Sequence, residues 1–99
     1  MAQSSLLSKM RTEIRRRQYS YFTEQAYIKW VIQFLKYHNM QHPAELDEED
    51  VLRFLIYLAE TKQYSLAIQK QALSALLFLY DRILGSPLET LNRPQVYEW

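Results

Sequence analysis

The segment 19–30 predicts a capped helix more strongly than any other part of the chain. Ser20 and Thr23 carry side-chain oxygens that can accept from the open amides of a helix N-terminus. From Thr23 onward the apolar residues recur at helical spacing. One face of this helix would hold Tyr27, Trp30, Val31, Phe34 and Leu35. Open amides and the helix dipole also favour an anion at this point, and three arginines, Arg15, Arg16 and Arg17, lie immediately upstream.

Scarce glycine and proline favour an all-α fold. The chain has one glycine and three prolines, which leaves little material for hairpin turns. The first helix is predicted over about residues 5–17, with an apolar stripe of Leu7, Met10 and Ile14. The second is predicted over about residues 23–38. Its polar side would carry Gln25, Lys29, Gln33 and Lys36.

Two further helices are predicted after the loop 39–46. Asp47 is the expected N-cap of the third, and its core face would hold Val51, Phe54, Leu55, Leu58 and Ala59. Ser65 is the expected N-cap of the fourth, which would end near Gly85 as its C-cap glycine. The buried face of the fourth would hold Ala72, Leu76, Leu79, Tyr80 and Ile83.

Phe78 falls on the otherwise polar side of the fourth helix, near Ser74 and Arg82. Two interpretations follow. Either the fourth helix is central to the bundle, or Phe78 belongs to a second contact surface.

The charge is distributed unevenly although the net charge is only +1. Residues 1–44 carry seven Lys/Arg and two Glu, whereas residues 45–99 carry five Lys/Arg and nine Asp/Glu. Such asymmetry fits solvated helix faces or a one-sided nucleic-acid footprint.

The chain has no cysteine, and no apolar run approaches the roughly 20 residues of a membrane span. A soluble cytoplasmic domain is expected.

Metal and cofactor sites are not expected. His38 and His42 are four residues apart, a spacing that suits a metal pair on a helix, but no third ligand is evident. The acidic run between Glu45 and Asp50 lacks the glycine and alternate spacing of a calcium loop. Charge at a helix start is the preferred interpretation of that run.

An ordered series of residues resembles the N-terminal SAM-like, or core-binding, domain of tyrosine recombinases, and is most similar to integron integrases. The resemblance covers about residues 6–88. In the first half it rests on the Arg-rich first helix, Tyr19-Ser20, Thr23-Glu24-Gln25-Ala26-Tyr27, Trp30, Phe34, His38 and His42-Pro43. In the second half it rests on Phe54-Leu55, Leu58-Ala59, Gln69, Gln71-Ala72-Leu73, residues 75–80 and Leu84-Gly85.

This resemblance implies a four-helix SAM-like orthogonal bundle over residues 1–88. Residues 89–99 would form a tail that begins the linker to an absent catalytic domain. The implied function is that of the DNA-binding module of an integrase, gripping a recombination site during DNA integration and recombination. Recombinases of this family act as tetramers, and their catalytic domain supplies an Arg, a His or Lys, a second Arg and a nucleophilic Tyr.

No such catalytic set is evident here, so no catalytic residue is assigned. Tyr97 has only Arg93 close in sequence, and a phenol needs positioned cations to attack a phosphate. Tyr19, Tyr27 and Tyr80 are predicted to be half-buried core residues with one hydrated oxygen.

The predicted DNA-binding residues come from three parts of the chain. Arg15, Arg16, Lys29 and Lys36 are phosphate-contact candidates. Ser20 and Thr23 belong to the helix start, and Lys70, Gln71 and Ser74 are expected on the outer side of the fourth helix, where amide and cationic groups suit a major groove. Integron-type relatives commonly have a basic residue at Phe22, Thr at Ile68 and Asn at Lys70, so a thinner phosphate-contacting face is expected here. The competing hypothesis is a helical protein-interaction module that does not bind DNA.

Overall fold

The computed structural model describes residues 2–88, and among these residues it contains four α-helices and no strand. They are α1 (Ala2–Arg16), α2 (Tyr21–Tyr37), α3 (Glu48–Glu60) and α4 (Leu66–Phe78). A short 3₁₀ turn, Pro43–Glu45, joins α2 to α3, and a π-helical turn, Leu79–Ile83, follows α4. The predicted all-α bundle of four helices is confirmed. Tyr97, Arg93 and the predicted tail 89–99 lie outside the described residues.

Three predicted N-caps are confirmed by side-chain hydrogen bonds. The Ser20 hydroxyl accepts from the Thr23 amide at 3.0 Å, and the Ser65 hydroxyl accepts from the Ile68 amide at 3.3 Å. Asp47 and Asp50 form a reciprocal capping box at the start of α3. Thr23 does not cap the helix as predicted. It lies in the first turn of α2, and its hydroxyl accepts from the Ser20 hydroxyl instead.

The core forms where α4 packs against both α2 and α3, while α1 packs on α2 and on the π-helical turn. The predicted apolar faces of the four helices together supply most of the buried hydrophobic side chains among the described residues. Those that are fully buried include Met10, Ile14, Val31, Phe34, Val51, Phe54, Leu58, Leu76 and Leu79. Of the predicted core residues, Leu7, Tyr27, Ala59 and Ile83 are only partly buried. The core therefore lies between three helices, with α1 closing one side.

The prediction of a second contact surface at Phe78 is wrong, because Phe78 is 7% exposed. Its ring packs against Tyr19 and Tyr27, with centroid separations of 5.9 and 5.6 Å. From Ala72 to Phe78 every residue of α4 except Ser74 is buried or partly buried, so this half of the helix is covered on more than its main core face. The alternative interpretation, that this helix is central to the bundle, is confirmed.

The fourth helix ends near Gly85 as predicted, but its last residues are not α-helical. The π-helical turn adds one residue to the hydrogen-bonded ring, and the Leu84 amide donates to the Leu79 carbonyl at 3.0 Å. Gly85 then adopts φ +66°, where a residue without Cβ is favoured. The Ser86 amide donates back to the Tyr80 carbonyl at 2.8 Å and closes the helix end.

Tyr80 is buried, and the predicted hydrated oxygen is wrong for this residue. Its hydroxyl donates to the Pro43 carbonyl at 2.7 Å, so the hydrogen bond lies inside the protein. Burial, with smaller contributions from the carboxylates of Asp50 and Asp47, raises the pKa of the Tyr80 phenol. Tyr19 is exposed and Tyr27 is partly buried.

None of the helices among the described residues is long and apolar enough to span a lipid bilayer.

Candidate nucleic-acid interface

A groove between the start of α2 and the middle of α4 brings together three of the predicted DNA-binding residues. Thr23 from α2 and Gln71 and Ser74 from α4 line the groove, which encloses about 270 Å³. Phe22, Ala26 and Tyr27 complete the lining. The two helices run side by side because Trp30 and Phe34 of α2 are buried in the core they share with α4. Polar groups separated by about 50 residues therefore meet at one surface.

Trp30 fixes the side-chain amide of Gln71 in this groove. The indole Nε1–H donates to Gln71 Oε1 at 2.9 Å. An indole nitrogen can only donate, so the amide atom facing it must be the oxygen. Tyr64 packs edge-on against the same indole at 6.2 Å between ring centroids. The orientation of Gln71 thus follows from a tryptophan that the core already holds in place.

Lys29 and Lys36 are exposed on α2, as predicted. Lys29 Nζ lies 5.5 Å from the centroid of the Trp30 ring, a separation at which a cation and an aromatic ring attract each other. Lys36 is seven residues further on, about 10 Å along the helix axis and about 20° away around it. The two lysines form a basic strip on one side of α2.

Arg15 is predicted to contact phosphate, and the structure shows it already paired. Its Nε and Nη2 donate to the two carboxylate oxygens of Glu24, each at 2.9 Å. Glu24 is only 4% exposed, whereas the Arg15 side chain is 68% exposed. The Arg15 hydrogen bonds hold the pKa of the Glu24 carboxyl below its usual value. Sequence reasoning did not anticipate that a charged residue of α2 would be buried.

Arg16 is also paired, in this case within α1. Its Nη2 donates to Glu13 Oε2 at 2.6 Å, and Arg17 Nε donates to the same oxygen at 2.8 Å. The hydrogen bond from Arg16 is the largest cause of a lowered pKa at Glu13. Arg16 remains exposed but does not line the groove. The local charge of this arginine cluster is therefore partly neutralised.

The other predicted residues are exposed around the groove. Ser20 is exposed at the N-cap of α2, where its oxygen is engaged by Thr23. Lys70 is exposed on α4 directly before Gln71. Lys70 and Ser74 are four residues apart, so both point to the same side of the helix. Lys70 and Ser74 lie on the outer side of the fourth helix, as predicted. Their contact with DNA stays a prediction.

Two exposed aromatic residues at the start of α2 were not among the predicted site residues, although the position of Phe22 was noted as one that is commonly basic in relatives. Phe22 is 83% exposed and Tyr21 is 68% exposed. Both belong to the first turn of α2, which begins two residues before the predicted helix start at about residue 23. Phe22 precedes Lys29 by seven residues and therefore shares its side of the helix. That spacing is the signal that could have placed Phe22 on the exposed strip.

The outer surface of α3 has the opposite electrostatic character. Glu49 and Glu60 are exposed there, and Arg53 is paired with Glu49 at 3.3 Å. A phosphate backbone would be repelled from this side, in agreement with the charge asymmetry of the sequence. The groove and the basic strip lie instead on α2 and α4.

The two histidines have local hydrogen-bonding roles. His38 Nε2 lies 3.0 Å from the Asp50 carbonyl oxygen, and His42 Nδ1 accepts from the Ala44 amide at 3.0 Å. His42 caps the 3₁₀ turn, which agrees with its interpretation as a loop element. The acidic run after it forms the first turn of α3, as predicted.

The fold is an all-α SAM-like bundle, and similarity to known proteins identifies its family. Residues 6–90 match the family described as phage integrase, N-terminal SAM-like domain. The chain therefore belongs to this family, and it corresponds to the N-terminal SAM-like part of integrases and not to their catalytic part.

Two relatives named "Integrase/recombinase", one from Escherichia coli and one from Pseudomonas aeruginosa, are each 40% identical to the chain over 93 residues. The matched region covers 91% of this chain but only 28% of each relative. The chain thus spans less than a third of the length of these relatives.

Proposed function

We propose that this chain is the DNA-binding module of a site-specific tyrosine recombinase. Its role is to grip the recombination site while a separate C-terminal domain of the same parent protein carries out DNA integration and strand exchange. The single observation that supports this most is the groove in which Thr23, Gln71 and Ser74 meet beside the basic strip of Lys29 and Lys36. Cations position a protein on the phosphate backbone, and polar side chains that reach into a groove of the DNA contact base edges.

The finer assignments follow from the family. The parent would act as a tetramer on two DNA sites, as a cytoplasmic protein. The closer similarity to integron integrases and the boundary between residues 1–88 and the tail 89–99 remain predictions. Arg15, Arg16, Ser20 and Lys70 stay in the proposed interface as contacts around the groove.

Titration with duplex DNA tests the proposal. The 99-residue chain should bind duplex with a Kd of about 10⁻⁴ to 10⁻⁶ M, because contacts to phosphates dominate non-specific binding. The affinity should fall steeply when the salt concentration rises, since each phosphate contact releases condensed counterions. Fluorescence anisotropy of a labelled duplex at low and moderate salt measures both quantities. Absence of binding at low salt, or binding indifferent to salt, would reject the proposal.

A second candidate, a protein-interaction module, is favoured by one observation on the opposite surface. Leu52 and Ile56 are exposed on α3 and line an apolar groove together with Leu55, Ala59 and Gln69. Sedimentation analysis distinguishes the two functions. Self-association that Leu52→Lys abolishes, without salt-dependent DNA binding, would make the interaction module the better description.

A further inference from the structure

The Gln71 amide turns its oxygen towards Trp30 and leaves its Nε2 donors for the groove. Its Oε1 already accepts from Trp30, while among residues 2–88 no acceptor engages its Nε2. Gln71 is exposed, so both Nε2 hydrogens are available to a molecule in the groove. A glutamine with a free amide would instead offer a donor and an acceptor side by side.

Carbon surface faces this donor across the groove. Phe22 and Ala26 supply ring and methyl carbons, and Thr23 adds a methyl group whose neighbouring hydroxyl is engaged by Ser20. A ligand that fits this groove needs a hydrogen-bond acceptor close to a small apolar group.

We infer that the groove recognises the major-groove edge of thymine, an inference that rests on the proposed DNA-binding function. Thymine presents its O4 acceptor next to its C5-methyl group. Gln71 Nε2–H would donate to O4, and the methyl group would lie against Phe22 and Ala26. No other base offers both features in the major groove.

The same geometry disfavours the other bases. Glutamine normally recognises adenine by accepting from N6 and donating to N7, but here Oε1 is directed at the Trp30 indole, so the contact with adenine is reduced to one donor to N7. Cytosine would place its N4 donors against the Nε2 donors. Guanine offers acceptors at O6 and N7 but has no methyl group for the apolar wall. The expected order is thymine first, then guanine and adenine, which offer an acceptor without a methyl group, and cytosine last.

Selection from a randomised duplex pool at low salt tests the inference. One position should be enriched in thymine when the 99-residue chain is used. Replacing that thymine by deoxyuridine removes only the methyl group and should weaken binding several-fold. Replacing it by 5-methylcytosine keeps the methyl group but reverses the hydrogen-bonding polarity, and should weaken binding by about tenfold.

Three variants connect the preference to the side chains. Gln71→Ala should abolish the thymine preference and lower the affinity for the selected duplex to that for an unselected one. Gln69→Ala is the matched control, because the Gln69 amide already donates to the Tyr64 carbonyl at 3.0 Å, and this variant should keep the preference. Trp30→Phe keeps a ring in the core but removes the bond that orients Gln71, so the amide can turn to make both bonds to adenine, and the preference for thymine over adenine should shrink.

The outcomes separate the inference from the proposed function. Salt-dependent binding without base preference, or a thymine preference that survives Gln71→Ala, overturns the inference and leaves the function standing. Absence of any salt-dependent binding overturns both.

Discussion

Arg15 and Glu24 join α1 to the first turn of α2 through two parallel hydrogen bonds, each 2.9 Å long. The carboxylate is buried and its guanidinium partner is largely exposed. The pair therefore fixes how α1 approaches the start of α2, the same turn that carries Ser20 and Thr23 at the proposed interface.

Acid should destabilise the protein partly through this pair. The folded-state pKa of Glu24 is lowered by Arg15, so the unfolded chain takes up the proton more readily. The stabilisation is complete above the ordinary carboxyl pKa and is lost as the pH falls through the folded value. Thermal melts from pH 7 to pH 3 should show a weaker acid dependence for Glu24→Gln than for the wild type. Glu49→Gln, at an exposed ion pair, is the control and should follow the wild type closely.

Alkali should destabilise the protein through Tyr80. Its folded-state pKa is raised by burial, so the stabilisation is complete below the ordinary tyrosine value of about 10 and is lost as the pH rises above it. Tyr80→Phe should lower the free energy of unfolding by about 1 kcal/mol at neutral pH through loss of the bond to Pro43. The free energy of unfolding, measured with urea, should change less between pH 8 and pH 11 for Tyr80→Phe than for the wild type. An equal change in both proteins would contradict the role assigned to Tyr80.

Truncation of Trp30 should be severely destabilising. The indole is buried at the contact of α2 and α4 and donates to Gln71. Trp30→Ala should cost about 3–5 kcal/mol, which corresponds to a Tm lower by more than about 10 °C for a domain of this size. Differential scanning calorimetry measures this shift. A decrease of one or two degrees would show that the indole contributes little to packing.

Reversal of the basic strip should separate DNA binding from stability. Lys29→Glu with Lys36→Glu should change the free energy of unfolding by under about 0.5 kcal/mol, since both residues are exposed. The double variant should lose DNA binding through lost contacts and new repulsion. A control with the same net charge, Lys9→Glu with Lys62→Glu, alters exposed lysines outside α2. Equal loss in both double variants would show that net charge matters and the strip does not.

The chain alone should form no covalent bond to DNA. Tyr19 and Tyr21 are the tyrosines nearest the arginine cluster in sequence, but Arg15 and Arg16 are engaged by Glu24 and Glu13. A suicide substrate carrying a nick should therefore trap no protein–DNA adduct on a denaturing gel. A trapped adduct would contradict the assignment of catalysis to another domain.

The helix boundaries were predictable because their signals are local. The hydroxyl of Ser20 and the carboxylate of Asp47 each bond an amide three residues later, and no tertiary contact is needed. Gly85 ends the helical segment through its own backbone conformation, so this prediction also needed no tertiary contact. The capped starts of α2, α3 and α4 were therefore predicted within about two residues, whereas α1 begins at Ala2, three residues before its predicted start, and α4 gives way to the π-helical turn after Phe78. The apolar spacing identified most of the core.

The remaining features depend on how the helices pack. Gln71 meets Trp30 across 41 positions of sequence, and Tyr80 meets Pro43 across 37. Phe78 was misplaced because a helical wheel assumes one buried face, whereas Tyr19 and Tyr27 cover the end of α4 on a second side. For the site, the sequence supplied Thr23, Gln71 and Ser74 as candidates, but only the packing of α2 on α4 brings them into one groove. Their contacts with DNA remain predictions.

The hydrogen bond from Trp30 to Gln71 also makes the protein its own optical reporter. The chain has two tryptophans, so Trp99→Phe leaves Trp30 as the only indole. Indole emission is sensitive to the polarity and hydrogen bonding around Nε1, and Nε1 is bonded to the residue proposed to contact a base. Occupation of the groove should therefore change the emission of an unlabelled protein, whereas a ligand held only by distant phosphate contacts should leave it unaltered.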